Sequence, residues 1–371
     1  MHVPQGDYSL EDFCETILRY DQERLFDGFH FNQIKTYFYL TEDDDWLQHF
    51  EDYEQEDYGD VTKLTKPYTK RSGEMGEAVF FATYYQDELV MVFTASTENS
   101  IDQTIARTVV DSNALVEMPI VPSDFQQMHN RVLEEHEDTN ITEFKSRRIP
   151  DLADADIRPE YDRTIEYKGD DGRQTLNEFR QYYGVVPVRI QYESPDITFK
   201  MDTSGKFTLK QINDQTFTLL FKLIEEVMEH VLEVQEISER IRFRTERRAS
   251  GNLDIEIPDV TAGEINFEKS FNLLMAEEFM QRASNRDDIQ FTFTDVSKQA
   301  GSLDFSATVT DEARNAFFNI SATEDSMTIV PKHNCASPSI LQFYQVFTQT
   351  VDEAAKIALF DKEAAYGPPA S

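Results

Sequence analysis

Three times along this chain, two alternating apolar runs flanking a short polar turn are followed by apolar residues at helical spacing. Side chains alternate across a strand with period two and recur along a helix with period 3.6, so this switch of period predicts a β-hairpin followed by a packed helix. The first unit pairs residues 79–84 with 89–94 across Gln86-Asp87-Glu88, and Ile101, Ile105, Thr108 and Val109 then form a helical stripe with Asn99 or Ser100 as its cap. The second pairs 197–201 with 207–210, and Gly205 supplies the positive φ that short hairpin loops demand. Its helix carries the longest stripe, Phe217, Leu220, Phe221, Ile224, Val227, Met228, Val231 and Leu232. The third pairs 316–320 with 327–330 and runs on into Ile340, Phe343, Tyr344, Phe347, Val351 and Ala355.

The class predicted is α+β, built of antiparallel hairpin-plus-helix units, either three diverged copies of one unit or convergent patterning. Asp and Pro cluster at 149–159, and Gly and Pro at 249–263, as candidate joints. Three modules follow: 1–148, a helical segment plus the first hairpin; 149–250; and 251–371. At 40% hydrophobic content, with 28 Phe and 16 Tyr, the 371 residues bury a large core rather than stay disordered. No run approaches the roughly 18 apolar residues of a membrane-spanning helix. The first twenty residues carry early acidic groups instead of a basic region followed by an apolar run, so a cytoplasmic location is expected. Cys14 and Cys335 make no disulfide framework.

Seventy acidic residues against 35 basic ones give a net charge of −35. A mimic of nucleic acid, or a partner for one basic surface, would concentrate such charge. Here it is spread, through 42–45, 51–57, 134–138, 151–156, Glu225-Glu226 and Asp287-Asp288. That distribution points to a high-salt cytoplasm, where the Debye length shrinks to about 3 Å and self-repulsion is screened. The segments Phe144-Lys145-Ser146-Arg147-Arg148, Arg158-Pro159-Glu160-Tyr161-Asp162-Arg163, Gly169-Asp170-Asp171-Gly172, Tyr183-Gly184-Val185-Val186-Pro187 and Gly301-Ser302-Leu303 belong to a pattern that resembles a group of uncharacterised haloarchaeal proteins. The resemblance implies a haloarchaeal source and no activity.

Catalytic signals are sparse. Pro150-Asp151 followed by Glu166-Tyr167-Lys168 has the order of a PD-(D/E)xK nuclease, in which two carboxylates hold Mg²⁺ and the lysine positions the attacking water. In so acidic a chain the pattern is degenerate, and Glu143-Phe144-Lys145 supplies a second Glu-x-Lys. The competing reading is a solvent-facing loop followed by an edge strand. His129 and His136, seven apart, read as a helix surface rather than a zinc pair, and His333-Asn334-Cys335 lacks further ligands. No glycine-rich phosphate loop and no Gly-x-Ser-x-Gly elbow occurs, so no metal and no cofactor is expected.

Against the overall charge, Arg240, Arg242, Arg244, Arg247 and Arg248 fall within nine residues, and Lys145, Arg147 and Arg148 form a smaller cluster. On a strand, Arg240, Arg242 and Arg244 share a face and are candidate ligands for phosphate or carboxylate. The alternative is that they neutralise acidic segments of the same chain. The sequence therefore predicts a non-enzymatic binding or assembly protein with a protein partner and no membrane. The rival is a nucleic-acid-associated protein using the arginine run, with Asp151, Glu166 and Lys168 as nuclease residues at its extreme.

Overall fold

The computed structural model of the 371-residue chain describes residues 3–19, 33–41, 45–85, 89–112, 115–118, 120–148, 155–158, 161–239, 241–247, 254–260, 262–285, 291–299, 304–332, 335 and 337–359. The description of 241–247 and 254–260 is of backbone. The fold is α+β. It divides into two compact units, Met1–Glu226 and Val227–Ser371.

In chain order the first unit contains α1 (Leu10–Arg19), β1 (Ile34–Leu40), a 3-10 turn (Trp46–Phe50), β2 (Glu54–Asp57), β3 (Val61–Thr69), β4 (Met75–Tyr85), β5 (Leu89–Thr94), α2 (Glu98–Gln103), α3 (Ile105–Asp111) and β6 (Val116–Glu117). There follow α4 (Pro122–Glu135), β7 (Asn140–Arg148), β8 (Arg163–Lys168), α5 (Gly172–Tyr183), β9 (Val186–Glu193), β10 (Thr198–Asp202), β11 (Phe207–Leu209) and the start of α6 (Asp214–Glu239). The strands form one antiparallel sheet in the order β2-β3-β4-β5-β1-β11-β10-β9-β7-β8, with β6 paired to the end of β1.

Alternation gives this sheet two unlike faces. On one, Phe81, Phe93, Thr36, Phe207, Met201, Ile190 and Phe144 stand in register and are buried, with the buried Phe38 ring 5.6 Å from that of Phe207. Helices cover them: the Phe13 ring of α1 lies 5.2 Å from Phe81, Phe217 of α6 6.5 Å from Phe93, and Phe179 of α5 6.0 Å from Phe144. On the other face, Tyr37, Tyr39, Leu64, Phe80, Ala82, Val90 and Val92 are roofed by Trp46, Phe50, Ile101, Ile105 and Val109. That roof stops beside β1. Beyond it, towards β8, the same face carries charged side chains and forms the cleft described below.

All three expected hairpins form, as β4–β5, β10–β11 and, in the second unit, β17–β18, each followed by a helix. Gly205 has φ +74°, and a Cβ there would meet the Met118 carbonyl oxygen at 2.9 Å. The turn at 86–88 lies outside the described residues. Details differ from the sequence pattern. The first helix is capped by Thr97 rather than Asn99 or Ser100 and breaks at Thr104, whose hydroxyl bonds the Ser100 carbonyl. In α6, Phe217, Leu220, Ile224, Val227, Met228 and Val231 are buried as expected, whereas Leu232 is 45% exposed, Phe221 is half-buried against Tyr85, and Leu219 and Leu223 join the buried side.

Both expected module boundaries fall inside strand pairs. The first separates β7 from β8, which pair from Glu143↔Lys168 to Arg148↔Arg163. The second separates β12 (Ile241–Arg247) from β13 (Asp254–Val260), which form a two-stranded sheet. Pro, Gly and Asp mark places where the chain turns, and here they mark loops between neighbouring strands rather than joints between domains.

The second unit continues with β14 (Gly263–Asn266), α7 (Leu273–Ser284), β15 (Phe291–Gln299), β16 (Asp304–Asp311), β17 (Ala316–Ala322), β18 (Ser326–Pro331), α8 (Ser337–Thr350) and β19 (Lys356–Leu359). Its six-stranded antiparallel sheet has the order β15-β16-β17-β18-β14-β19. Phe343 of α8, fully buried, centres the core, with ring centroids 5.3, 5.8 and 5.1 Å from Phe279, Phe291 and Phe318. Such edge-to-face packing adds about 0.5–1.5 kcal/mol per pair beyond the burial itself. Asp311 is buried where β16 turns into β17; it accepts from the Ala313 and Arg314 amides, the Arg314 guanidinium at 2.7 Å and the Ser339 hydroxyl at 2.7 Å.

Candidate functional site

The open part of the first unit's sheet face is built by register. Lys168, Glu143, Gln191, Lys200, Thr208, Lys35 and Thr94 are successive cross-strand partners on β8, β7, β9, β10, β11, β1 and β5. A second row, Glu166, Lys145, Arg189 and Asp202, runs beside it on β8, β7, β9 and β10. From β7 to β11 these strands turn their apolar residues to the opposite face, as Phe199 and Met201 do on either side of Lys200, which leaves the charged side chains facing outward together.

Where the helical roof ends, this face becomes a cleft of about 740 Å³. Five cations line it, Lys35, Arg189, Lys200, Lys206 and Lys210, against three carboxylates, Glu77, Glu98 and Asp202. The lysines differ in how they are held. Lys35 is buried and donates to the Ser96 carbonyl at 2.6 Å, with Glu98 at 3.2 Å. Burial lowers its pKa, and Glu98 opposes that shift. Lys206 reaches both oxygens of Glu98 at 2.8 Å. Burial alone would raise the Glu98 pKa, but Lys206 and Lys35 outweigh it and hold the carboxyl below its ordinary value. Lys200 donates to Glu143 at 2.8 Å.

Lys210 is the exception. It donates to the Gln191 side-chain carbonyl at 2.7 Å, and among the described residues no carboxylate lies in ion-pair range of it. Burial first, and Lys200 next, lower its pKa. Nearby, the Nε of Arg189 is buried without a hydrogen-bond partner, while its terminal nitrogen lies 3.7 Å from Glu143.

The sequence-derived candidates distribute differently. Glu166 and Lys168 project from the edge strand β8 and meet the second Glu-x-Lys in antiparallel register: Lys168 pairs with Glu143 at 3.2 Å and Glu166 with Lys145 at 3.5 Å. Two Glu-x-Lys strands facing each other this way neutralise one another, which gives the motif a structural role. Pro150 and Asp151 lie outside the described residues, and among those described no three His, Cys, Asp or Glu side chains converge as a metal set. Arg240 and Arg248 also lie outside the description. Arg242, Arg244 and Arg247 are on β12, where Arg242 stands opposite Asp259 and Arg247 opposite Asp254 in backbone register.

The smaller basic cluster separates, because Arg148 is buried and donates to the Gly184 carbonyl while Arg147 is exposed. His333 and Asn334 are outside the description, and Cys335 is half-buried and forms no disulfide. Cys14 is free, with burial and then Glu11 pushing its pKa to about 12. No helix among the described residues is long and apolar enough to cross a membrane.

His129 corrects the expectation of a helix surface. It is buried, with Nδ1 2.8 Å from the Tyr192 hydroxyl, and burial, followed by Arg180 and Arg173, lowers its pKa to about 4. A folded pKa below the unfolded 6.5 means that the stabilisation is complete above pH 6.5 and is lost as pH falls towards 4. That loss is on the order of 3 kcal/mol. Denaturant titrations at pH 7 and pH 4.5 should therefore separate wild type from His129→Gln, with the wild type losing more. Equal pH dependence of the two proteins would count against a neutral buried imidazole.

The cleft escaped sequence reasoning because its cations are dispersed from residue 35 to residue 210. One local sign exists: Lys35 sits inside the otherwise apolar strand β1.

A family model described as a family middle domain matches residues 124–210. That stretch holds Arg189, Lys200, Lys206 and Lys210 but not Lys35. The chain is also similar to an uncharacterized protein of Archaeoglobus fulgidus, with 23% identity over 311 residues, covering 81% of each chain.

Proposed function

We propose that this is a binding protein of a high-salt, haloarchaeal cytoplasm, and that its ligand is a small anion seated in the cleft between β1 and β9. The observation that carries this reading is the excess of cations over carboxylates lining a concave site in a chain of net charge −35. Molar salt screens exposed charges within about 3 Å, which weakens any surface arginine site; groups partly removed from water, as Lys35 and Lys210 are, escape much of that screening. The same arithmetic favours a compact ligand over a protein partner or a nucleic acid. An extended polyanion would run beyond the cleft onto an acidic chain and be repelled there.

Calorimetric titration with phosphate, malonate and citrate, at constant high ionic strength, tests this directly. At least one should bind. Replacing both Lys200 and Lys210 by Gln should weaken its binding about tenfold or more, since a hydrogen bond to a charged group contributes about 1.5–3 kcal/mol. Failure of every anion to bind, or equal binding by the folded double variant, would overturn the reading.

A further inference from the structure

We infer that Lys210 is a nucleophilic amine, and that the ligand of the cleft is a small carboxylate-bearing aldehyde or ketone captured there as an imine. This rests on the anion-binding reading above and adds a covalent step to it. Of the four lysines lining the cavity, three are held as cations. Lys35 is held by a carbonyl and a carboxylate, Lys206 by both oxygens of Glu98, and Lys200 by Glu143, and each such bond stabilises the ammonium form, which has no lone pair to give. Among the described residues, the partner of Lys210 is a neutral amide oxygen, that of Gln191. It is half-buried and lines the cleft, so a ligand can reach it.

The charges around Lys210 act in the same sense. Lys200 and Lys168 disfavour its protonated form and Glu143 and Glu193 favour it, but burial and Lys200 dominate and the net shift is downward. An amine beside a second cation is a recognised arrangement for an activated lysine. Lys200 and Arg189, on neighbouring strands of the same cleft, are placed to hold the ligand's carboxylate.

The step is balanced without an oxidant or reductant. The neutral Nζ attacks the carbonyl carbon and a C–N bond forms, while the C=O π pair moves to oxygen, which takes a proton from nitrogen to give a carbinolamine. The C–O bond then breaks, the oxygen leaves as water with the second amine proton, and the C=N bond remains.

Glyoxylate with cyanoborohydride is the probe, because reduction of its imine leaves a carboxymethyl-lysine that peptide mass mapping locates. Glycolate, which has the same carboxylate and no carbonyl, is the control ligand. Lys210 should be labelled several-fold faster than exposed Lys70, Lys210→Arg should lose that labelling, and glycolate should slow it. In Lys200→Gln the pH profile of labelling should move upward, a shift that a merely structural Lys200 would not produce. If glycolate binds by calorimetry but glyoxylate labels Lys210 no faster than Lys70, the imine is refuted and the anion-binding reading stands. If neither acid binds and no labelling preference appears, both fall.

Discussion

Replacing Asp311 by Ala is expected to cost about 3–5 kcal/mol, the magnitude seen when one partner of a buried ion pair is removed. The Asp311 side chain is 1% exposed and that of Arg314 11%. Without the carboxylate, the guanidinium keeps, among the described residues, its bond to Gln342 at 2.9 Å, and its Nε has no partner among them. The Ala313 and Arg314 amides and the Ser339 hydroxyl lose the same acceptor, so the turn from β16 to β17 and the first turn of α8 loosen together. Adding Arg314→Met should recover a good part of the loss, because the uncompensated charge is then gone. Denaturant unfolding of the single and double variants measures both effects. A single-variant cost under about 1 kcal/mol would mean that solvent reaches the pair after all.

The larger effect concerns the whole chain. Lowering salt from molar to about 0.01 M lengthens the Debye distance from about 3 to about 30 Å, so carboxylates throughout the chain repel one another. With 70 acidic residues against 35 basic ones, the cooperative thermal transition is expected to weaken steadily and then vanish in dilute salt. The resolved ion pairs offer little resistance, since many resemble Lys66–Asp52 and Arg107–Asp111 in having an exposed partner, and such pairs contribute about 0–1 kcal/mol apiece. Circular dichroism melts across a salt series decide the matter. A melting temperature that holds from dilute to molar salt would remove the high-salt reading and leave the acidity to be explained by a partner.

Local structure was legible where two periodicities met. The hairpins at 75–94, 198–209 and 316–331 could be read because each alternates, turns on polar residues and then changes period. What lay outside that reading is long-range. Nothing near residue 34 says that β1 will lie between residues 89–94 and 207–209, so separate modules were expected where one sheet runs through. Of the α6 residues that looked like core, Ile224 is fully buried but Phe221 only half, because hydrophobicity does not reveal what covers a side chain; Leu223, on the neighbouring face, is fully buried as well. Glu166 and Lys168 looked catalytic for a related reason. Their spacing is that of a metal-dependent nuclease, but it is equally that of a strand pairing its charges with the strand beside it.

The central place of β1 also sets the order in which the chain can assemble. Synthesis delivers β1 early, β5 can join it once residue 94 has emerged, and β6 covers Tyr39 and Leu40 on its other edge soon after, but the Ile34–Thr36 part of that edge stays open until residues 207–209 arrive. Through that interval a strand buried along its whole length in the finished protein exposes unpaired backbone on an apolar ribbon. A slow ribosome, or a chain cut between β5 and β11, would prolong the exposure and invite pairing with another chain. In dilute solution the many carboxylates would hold such half-made copies apart, but molar salt confines their repulsion to about 3 Å, so there the interval itself must be kept short.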